Sequence, residues 1–130
     1  LDRFKDINDR HGHAFGDSVL EEIASRLLAT ARPSCFLARM GGDEFTAVIP
    51  RIRDSSEPVH VAEQLLAALE QPCTISSQTL TLSGSIGISV YPEDGCDAGT
   101  LLRKADAAMY RAKGRRERVV CFGEAGATAE

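Results

Sequence analysis

The chain has 130 residues, 43% of them apolar and 5% aromatic, and a formal net charge of −4 at pH 7. This is one domain's length, enough to bury a core. The negative balance argues against a general nucleic-acid-binding surface, so a polyphosphate site would have to rely on local cations. No apolar run reaches membrane-spanning length and no signal peptide is visible, so a cytoplasmic location is expected, with any membrane anchor elsewhere in a full-length protein. The four cysteines, Cys35, Cys73, Cys96 and Cys121, are scattered without CxxC spacing. Neither a zinc site nor a thioredoxin-type motif is indicated. Cys35 and Cys121, with apolar neighbours, read as small core residues. The chain opens on Leu rather than Met in the middle of a motif, and so reads as part of a longer protein.

Phe4, Ile7 and Phe45 read as core residues. After Gly16-Asp17, the positions Leu20, Ile23, Ala24, Leu27 and Leu28 follow helical spacing, with Asp17 or Ser18 as a possible cap and an end before Pro33. Two short apolar runs, Cys35–Ala38 and Phe45–Ile49, then flank Gly41-Gly42-Asp43-Glu44, which reads as a hairpin with a tight turn. Pro50 to Pro58 is polar loop. Val59, Ala62, Leu65, Leu66 and Leu69 make a second amphipathic helix, ending near Pro72. Leu80 and Leu82, then Ile86, Ile88 and Val90, alternate as strands do. Leu101 to Ala112 is a third helix, Val119 to Phe122 a last strand, and residues 123–130 a flexible tail or linker. Strand pairs with helices to one side predict an α+β fold: an antiparallel-centred sheet with helices packed against it.

Chemistry concentrates at the Gly-Gly turn. Adjacent carboxylates at Asp43 and Glu44 repel each other, and a hard divalent cation preferring oxygen ligands would offset that repulsion. A solvated acidic turn is the plainer alternative. The late basic cluster, Arg111, Lys113, Arg115, Arg116 and Arg118, fits either a helix end or a phosphate contact.

Five ordered blocks carry a more specific signal: Leu1–Asp9, Gly12-His13 with Gly16-Asp17, Arg39–Phe45, Ser85–Ile88 and Ala105–Lys113. In that order and spacing the chain closely resembles the GGDEF family, the diguanylate cyclases, from Leu1 to about Phe122. The wording of Ala105–Lys113 is especially similar to cyclase domains in tandem with EAL phosphodiesterase domains. The resemblance implies a GGDEF domain over residues 1–122, lacking its first strand, with a sheet like the palm of nucleotidyl cyclases and polymerases. The Gly41-Gly42 hairpin would then lie at the active-site edge.

The implied activity is condensation of two GTP into cyclic di-GMP with release of pyrophosphate. Positioning and charge stabilisation would dominate that reaction. By the same resemblance Asp43 and Glu44 are catalytic, and they bind Mg²⁺ or Mn²⁺ together with the Leu1 backbone carbonyl. Gly41 and Gly42 let the backbone approach the nucleotide. Lys5 and Lys113 match phosphate contacts. Asn8 and Asp17 match guanine-reading positions, since a carboxylate can accept from both N1–H and the 2-amino group. The alternatives are a turn residue at Asn8 and a helix cap at Asp17. His13 reads as structural. Asp106 either holds the hairpin or lies on a solvated helix face. The implied partners are GTP, cyclic di-GMP, a second copy in a catalytic homodimer, and EAL or sensor domains in the full protein.

Three departures stand out. The family's other metal aspartate precedes Leu1, so this stretch alone is expected to be inactive. The product-inhibition motif falls on Arg32-Pro33-Ser34-Cys35, with Arg32 present but Cys35 in place of Asp. Glu117 takes a phosphate-binding Arg position. These leave an alternative open: a catalytically silent, GTP-sensing domain that regulates an attached EAL phosphodiesterase.

Overall fold

A computed structural model describes residues 1–31, 35–114 and 118–123. The chain divides into two compact units, Leu1–Ser55 with Gln64–Gly84, and Ser56–Glu63 with Ser85–Glu130.

The first unit begins with a helix the sequence reading did not foresee, α1 (Phe4–His11). Asp6 in its first turn and Arg10 and His11 in its last complement the helix dipole. Gly12 ends α1 at φ 89°, its N–H donating to the Asn8 carbonyl at 2.8 Å, and starts α2 (His13–Thr30). Asn8 is therefore helical, not a turn residue. Asp17 is not a cap: α2 starts four residues earlier, at His13. The sequence pattern starts the helix after Gly16-Asp17; glycine in a helix interior is disfavoured by about 1 kcal/mol. Here the break is at Gly12. Val19, Leu20, Ile23 and Leu27 bury one face of α2, while Leu28 is exposed. Phe4 is buried, but Ile7 and Phe45 are only half-buried.

The strands β1 (Phe36–Gly41) and β2 (Glu44–Val48) pair antiparallel, Phe36 opposite Val48 and Gly41 opposite Glu44. A register shift between Arg39 and Gly41 leaves Met40 as an extra, exposed residue. Next come α3 (Glu57–Leu69), whose residues through Glu63 belong to the second unit and whose Pro58 lies in the first turn where a missing N–H is tolerated, and the hairpin β3 (Cys73–Ile75) and β4 (Gln78–Leu80). Arg26 on α2 donates to the carbonyls of Gln71 (2.6 Å) and Pro72 (2.7 Å), tying α2 to the chain ahead of β3. The core cysteine is Cys73, fully buried; Cys35 and Cys121 are half-buried. Burial pushes the Cys73 thiol above its ordinary pKa, only partly offset by Arg26, so it is a packing group rather than a nucleophile.

In the second unit β5 (Ile86–Ile88) runs parallel to β6 (Val119–Cys121), and α4 (Ala98–Gly114) packs on both. Gly87 makes this possible: a Cβ there would overlap the Ala105 carbonyl and the Met109 nitrogen of α4. Ala108, Ala112 and Val120 form the buried cluster, with Phe122 against it and Lys104 Nζ 5.0 Å above the Phe122 ring. Two of the three described ladders are antiparallel and one is parallel, in an α+β order. Among the described residues no helix is long and apolar enough to cross a membrane.

Candidate active site

The β1–β2 turn consists of Gly42 and Asp43 between the paired Gly41 and Glu44. Gly42 has φ 50° and Asp43 does not share the positive sign, the sign pattern of a type II′ turn, in which glycine is favoured first. Gly41 has φ 143°. The space around both glycines is empty within 4 Å of a Cβ position, so none of the described residues covers the turn there. Arg39 Nε donates to the Gly42 carbonyl at 2.8 Å and fixes the turn from the preceding strand. Sequence reasoning gave Arg39 no role. Its place three residues before Gly42 is the signal that could have found it.

The Leu1 backbone nitrogen donates to the Asp43 carbonyl at 3.0 Å. Leu1 and Asp43, predicted to share a metal, are thus neighbours. Next to Leu1, the Asp2 N–H donates to the Ser83 carbonyl (2.9 Å) and Ser83 Oγ to Asp2 Oδ2 (3.4 Å). Arg3, at φ 58°, then turns the chain into α1. From Leu1 to Asn8 the path is at most roughly 17 Å. Glu44 is exposed on β2 and Lys5 is exposed on α1.

Asn8 and the turn of chain holding Asp17 also meet. Asn8 Oδ1 is buried without a hydrogen-bond partner, the only such side-chain atom among the described residues. It fills the space that a Cβ on Gly16 would occupy. Asp17, the next residue, is exposed. His11 and Phe15 stack beside them, ring centroids 4.4 Å apart. His13 is exposed at the start of α2.

Lys113 is exposed near the end of α4, in the second unit. Asp106 is exposed on the same helix. Arg32, Arg115, Arg116, Glu117 and residues 124–130 lie outside the described residues.

No group of three or more His, Cys, Asp or Glu side chains suited to a metal occurs among the described residues. The residues present nevertheless fit a hard cation. Asp43 keeps 33% side-chain exposure, and Glu44 is exposed next to it. The available donors are all oxygen.

The acidic Gly-Gly hairpin and the unpartnered Asn8 belong to the same unit of an α+β fold, as the sequence resemblance to nucleotidyl cyclases implies. Residues 1–118 match the family described as "Diguanylate cyclase, GGDEF domain", and the chain belongs to it. It is 42% identical over 129 residues to the bifunctional diguanylate cyclase/cyclic di-GMP phosphodiesterase MucR of Pseudomonas aeruginosa, covering 99% of this chain and 19% of that protein. The chain therefore spans about a fifth of that relative's length. An EAL/GGDEF domain protein from M. capsulatus superposes with TM-score 0.88 at 40% identity, covering 94% of this chain and 79% of that one. The GGDEF domain of DgcB from Caulobacter crescentus, solved in complex with c-di-GMP, superposes with TM-score 0.81 at 30% identity, covering 94% and 73%. The fold is accordingly the palm-like α+β fold of GGDEF domains, a family of bacterial cyclic di-GMP signalling. Its cyclases use divalent metal ions.

Proposed function

We propose that this domain, residues 1–122, works within its full-length protein, though not as this stretch alone, as a diguanylate cyclase that binds GTP and, as a homodimer, joins two GTP into cyclic di-GMP with release of pyrophosphate. The observation that carries the reading is the restrained hairpin tip. Asp43 sits at an exposed turn pinned from two sides, by Leu1 at 3.0 Å and by Arg39 at 2.8 Å through Gly42. A solvated turn with no task needs neither restraint.

In this reading Asn8 and Asp17 hold the guanine. The Asp17 carboxylate accepts from the base's two adjacent donors, a pair that adenine lacks. Lys5 and Lys113 meet the phosphates as point charges. Gly41 and Gly42, open to solvent, admit the nucleotide close to the backbone. Asp43, Glu44 and the Leu1 carbonyl would hold Mg²⁺ or Mn²⁺. Such an ion neutralises phosphate charge and acidifies a bound hydroxyl. Each site holds one GTP, so the attack of each 3′-hydroxyl on the other's α-phosphate needs two copies of the chain. Product feedback at Arg32 is weak, because the half-buried Cys35 thiol is a poor substitute for a carboxylate acceptor.

Asp43→Ala in the full-length protein tests the assignment. Cyclic di-GMP formed from GTP with Mg²⁺, followed by chromatography, should vanish. Parent-level synthesis by the variant would sink the catalytic role. Similarity to a protein that also carries phosphodiesterase activity favours one second reading: a silent domain that senses GTP and regulates an attached EAL phosphodiesterase. A parent protein that binds GTP without making product, while GTP alters cyclic di-GMP hydrolysis, would establish it instead.

A further inference from the structure

Two observations at one place exceed what the proposed reading requires. Asn8 Oδ1 is a buried acceptor with no partner, an arrangement that is costly unless something else is gained. The space it fills is that of the missing Gly16 side chain, so its seat exists only because position 16 has no Cβ. Gly16 lies inside α2 with nothing in its backbone conformation that calls for glycine. Asn8 Nδ2 has no hydrogen-bond partner among the described residues and is not buried.

We propose that Gly16 is a specificity-determining position: lacking a Cβ, it seats the Asn8 carboxamide with Oδ1 against the α2 backbone and leaves the Nδ2 end free to donate to an acceptor on a guanine base. Gly16 touches no ligand itself; it is a positioning residue acting through Asn8. The consequence is a matched pair on adjoining helices, a donor at Asn8 and an acceptor at Asp17, one residue beyond the glycine. The inference rests on the reading of Asn8 and Asp17 as guanine contacts.

Melting temperature and calorimetric affinities for GTP and ATP are compared in the parent protein, Gly16→Ala, Asn8→Ala and the double variant. Gly16→Ala should melt roughly 3–10 °C lower, because the methyl displaces a seated group. It should also lose roughly tenfold or more of the preference for GTP over ATP. Asn8→Ala should lose the same preference and melt near the parent. In the double variant the Asn8 carboxamide no longer crowds the added methyl, which then lies 3.3 Å from the tip of the Phe4 ring, so the protein should melt near Asn8→Ala. If Gly16→Ala alone fails to fold, a folded double variant melting near Asn8→Ala supports the proposal. A double variant that falls as far below Asn8→Ala as Gly16→Ala falls below the parent overturns it. So does a Gly16→Ala protein that loses stability but keeps its preference for GTP while Asn8→Ala loses it. Asn8→Ala with the parent's preference is a different failure: it removes the guanine reading itself, whatever the melting temperatures.

Discussion

The β1–β2 hairpin and the α1–α2 pair both turn on glycine, and they use it in opposite ways. At the strand hairpin, Gly42 supplies a positive φ and the space around it is empty. At the helical pair, Gly16 has an ordinary helical backbone and the space around it is full. The first glycine is needed for conformation and the second for volume. The distinction matters because the two sites fail differently. A methyl at an open turn strains the local backbone and can be partly relieved there. A methyl in filled space pushes on a neighbouring element.

The volume side of the contrast is sharpest at Gly87, where the obstructing atoms are the backbone of α4 rather than a side chain. No rotamer change can relieve that overlap. Gly87→Ala should therefore cost the most of any glycine substitution here, roughly 3 kcal/mol or more. A urea titration checks it. A loss under about 1 kcal/mol would mean that β5 and α4 can separate easily, and the contrast would collapse at its stronger end.

On the conformational side, Gly42→Ala should cost about 1–2 kcal/mol, the penalty for an L side chain in the left-handed region. Gly42→Asn should cost less, since asparagine tolerates that region better. The order Ala worse than Asn is the diagnostic result, read from melting curves. An equal penalty for both would point to hidden crowding instead of φ. Arg39→Ala comes next: loss of its bond to the Gly42 carbonyl should cost about 0.5–1.5 kcal/mol. Its effect on cyclic di-GMP synthesis should exceed its effect on stability, because the turn that carries Asp43 is released. A variant that is less stable but fully active would reduce Arg39 to a strand residue.

How legible each region was follows from the same contrast. The strand hairpin was readable because Gly-Gly between apolar runs announces its own turn. The second hairpin, β3–β4, was missed: its turn residues Ser76 and Ser77 have φ 50° and 67°, a conformation for which the sequence offers neither Gly nor Asn. The helix α1 was missed because its eight residues are largely polar, with Phe4 alone buried. Its stability comes from packing on α2, which no local pattern displays. Gly16 was misread as a helix boundary, since propensity sees the entropy of a glycine and cannot see a neighbour filling its space. The candidate site residues were named from the resemblance to the GGDEF family. What that resemblance could not give was their support: Arg39 under the turn, the Asp2–Ser83 bonds beside Leu1, and the unpartnered oxygen of Asn8.

The smallest expected effect lies at a third use of local chemistry, where a side chain rather than glycine shapes the backbone. Asp97, just before α4, accepts from the Thr100 N–H at 2.8 Å and from Thr100 Oγ1 at 3.0 Å. These bonds cap the helix start. The Thr100 backbone bond, then its hydroxyl bond, hold the Asp97 carboxyl below the ordinary carboxylate pKa. A depressed folded-state value means the unfolded chain takes up the proton first as pH falls. The stabilisation is therefore complete above the ordinary carboxylate pKa and is lost as pH drops through the lower, folded-state value. Asp97→Asn keeps a good capping side chain but cannot titrate. At pH 7 it should melt close to the parent, and between about pH 5 and pH 3 it should lose less stability than the parent does. Parallel acid melting curves for the two proteins would show that Asp97 caps α4 by geometry alone, with no contribution from its charge.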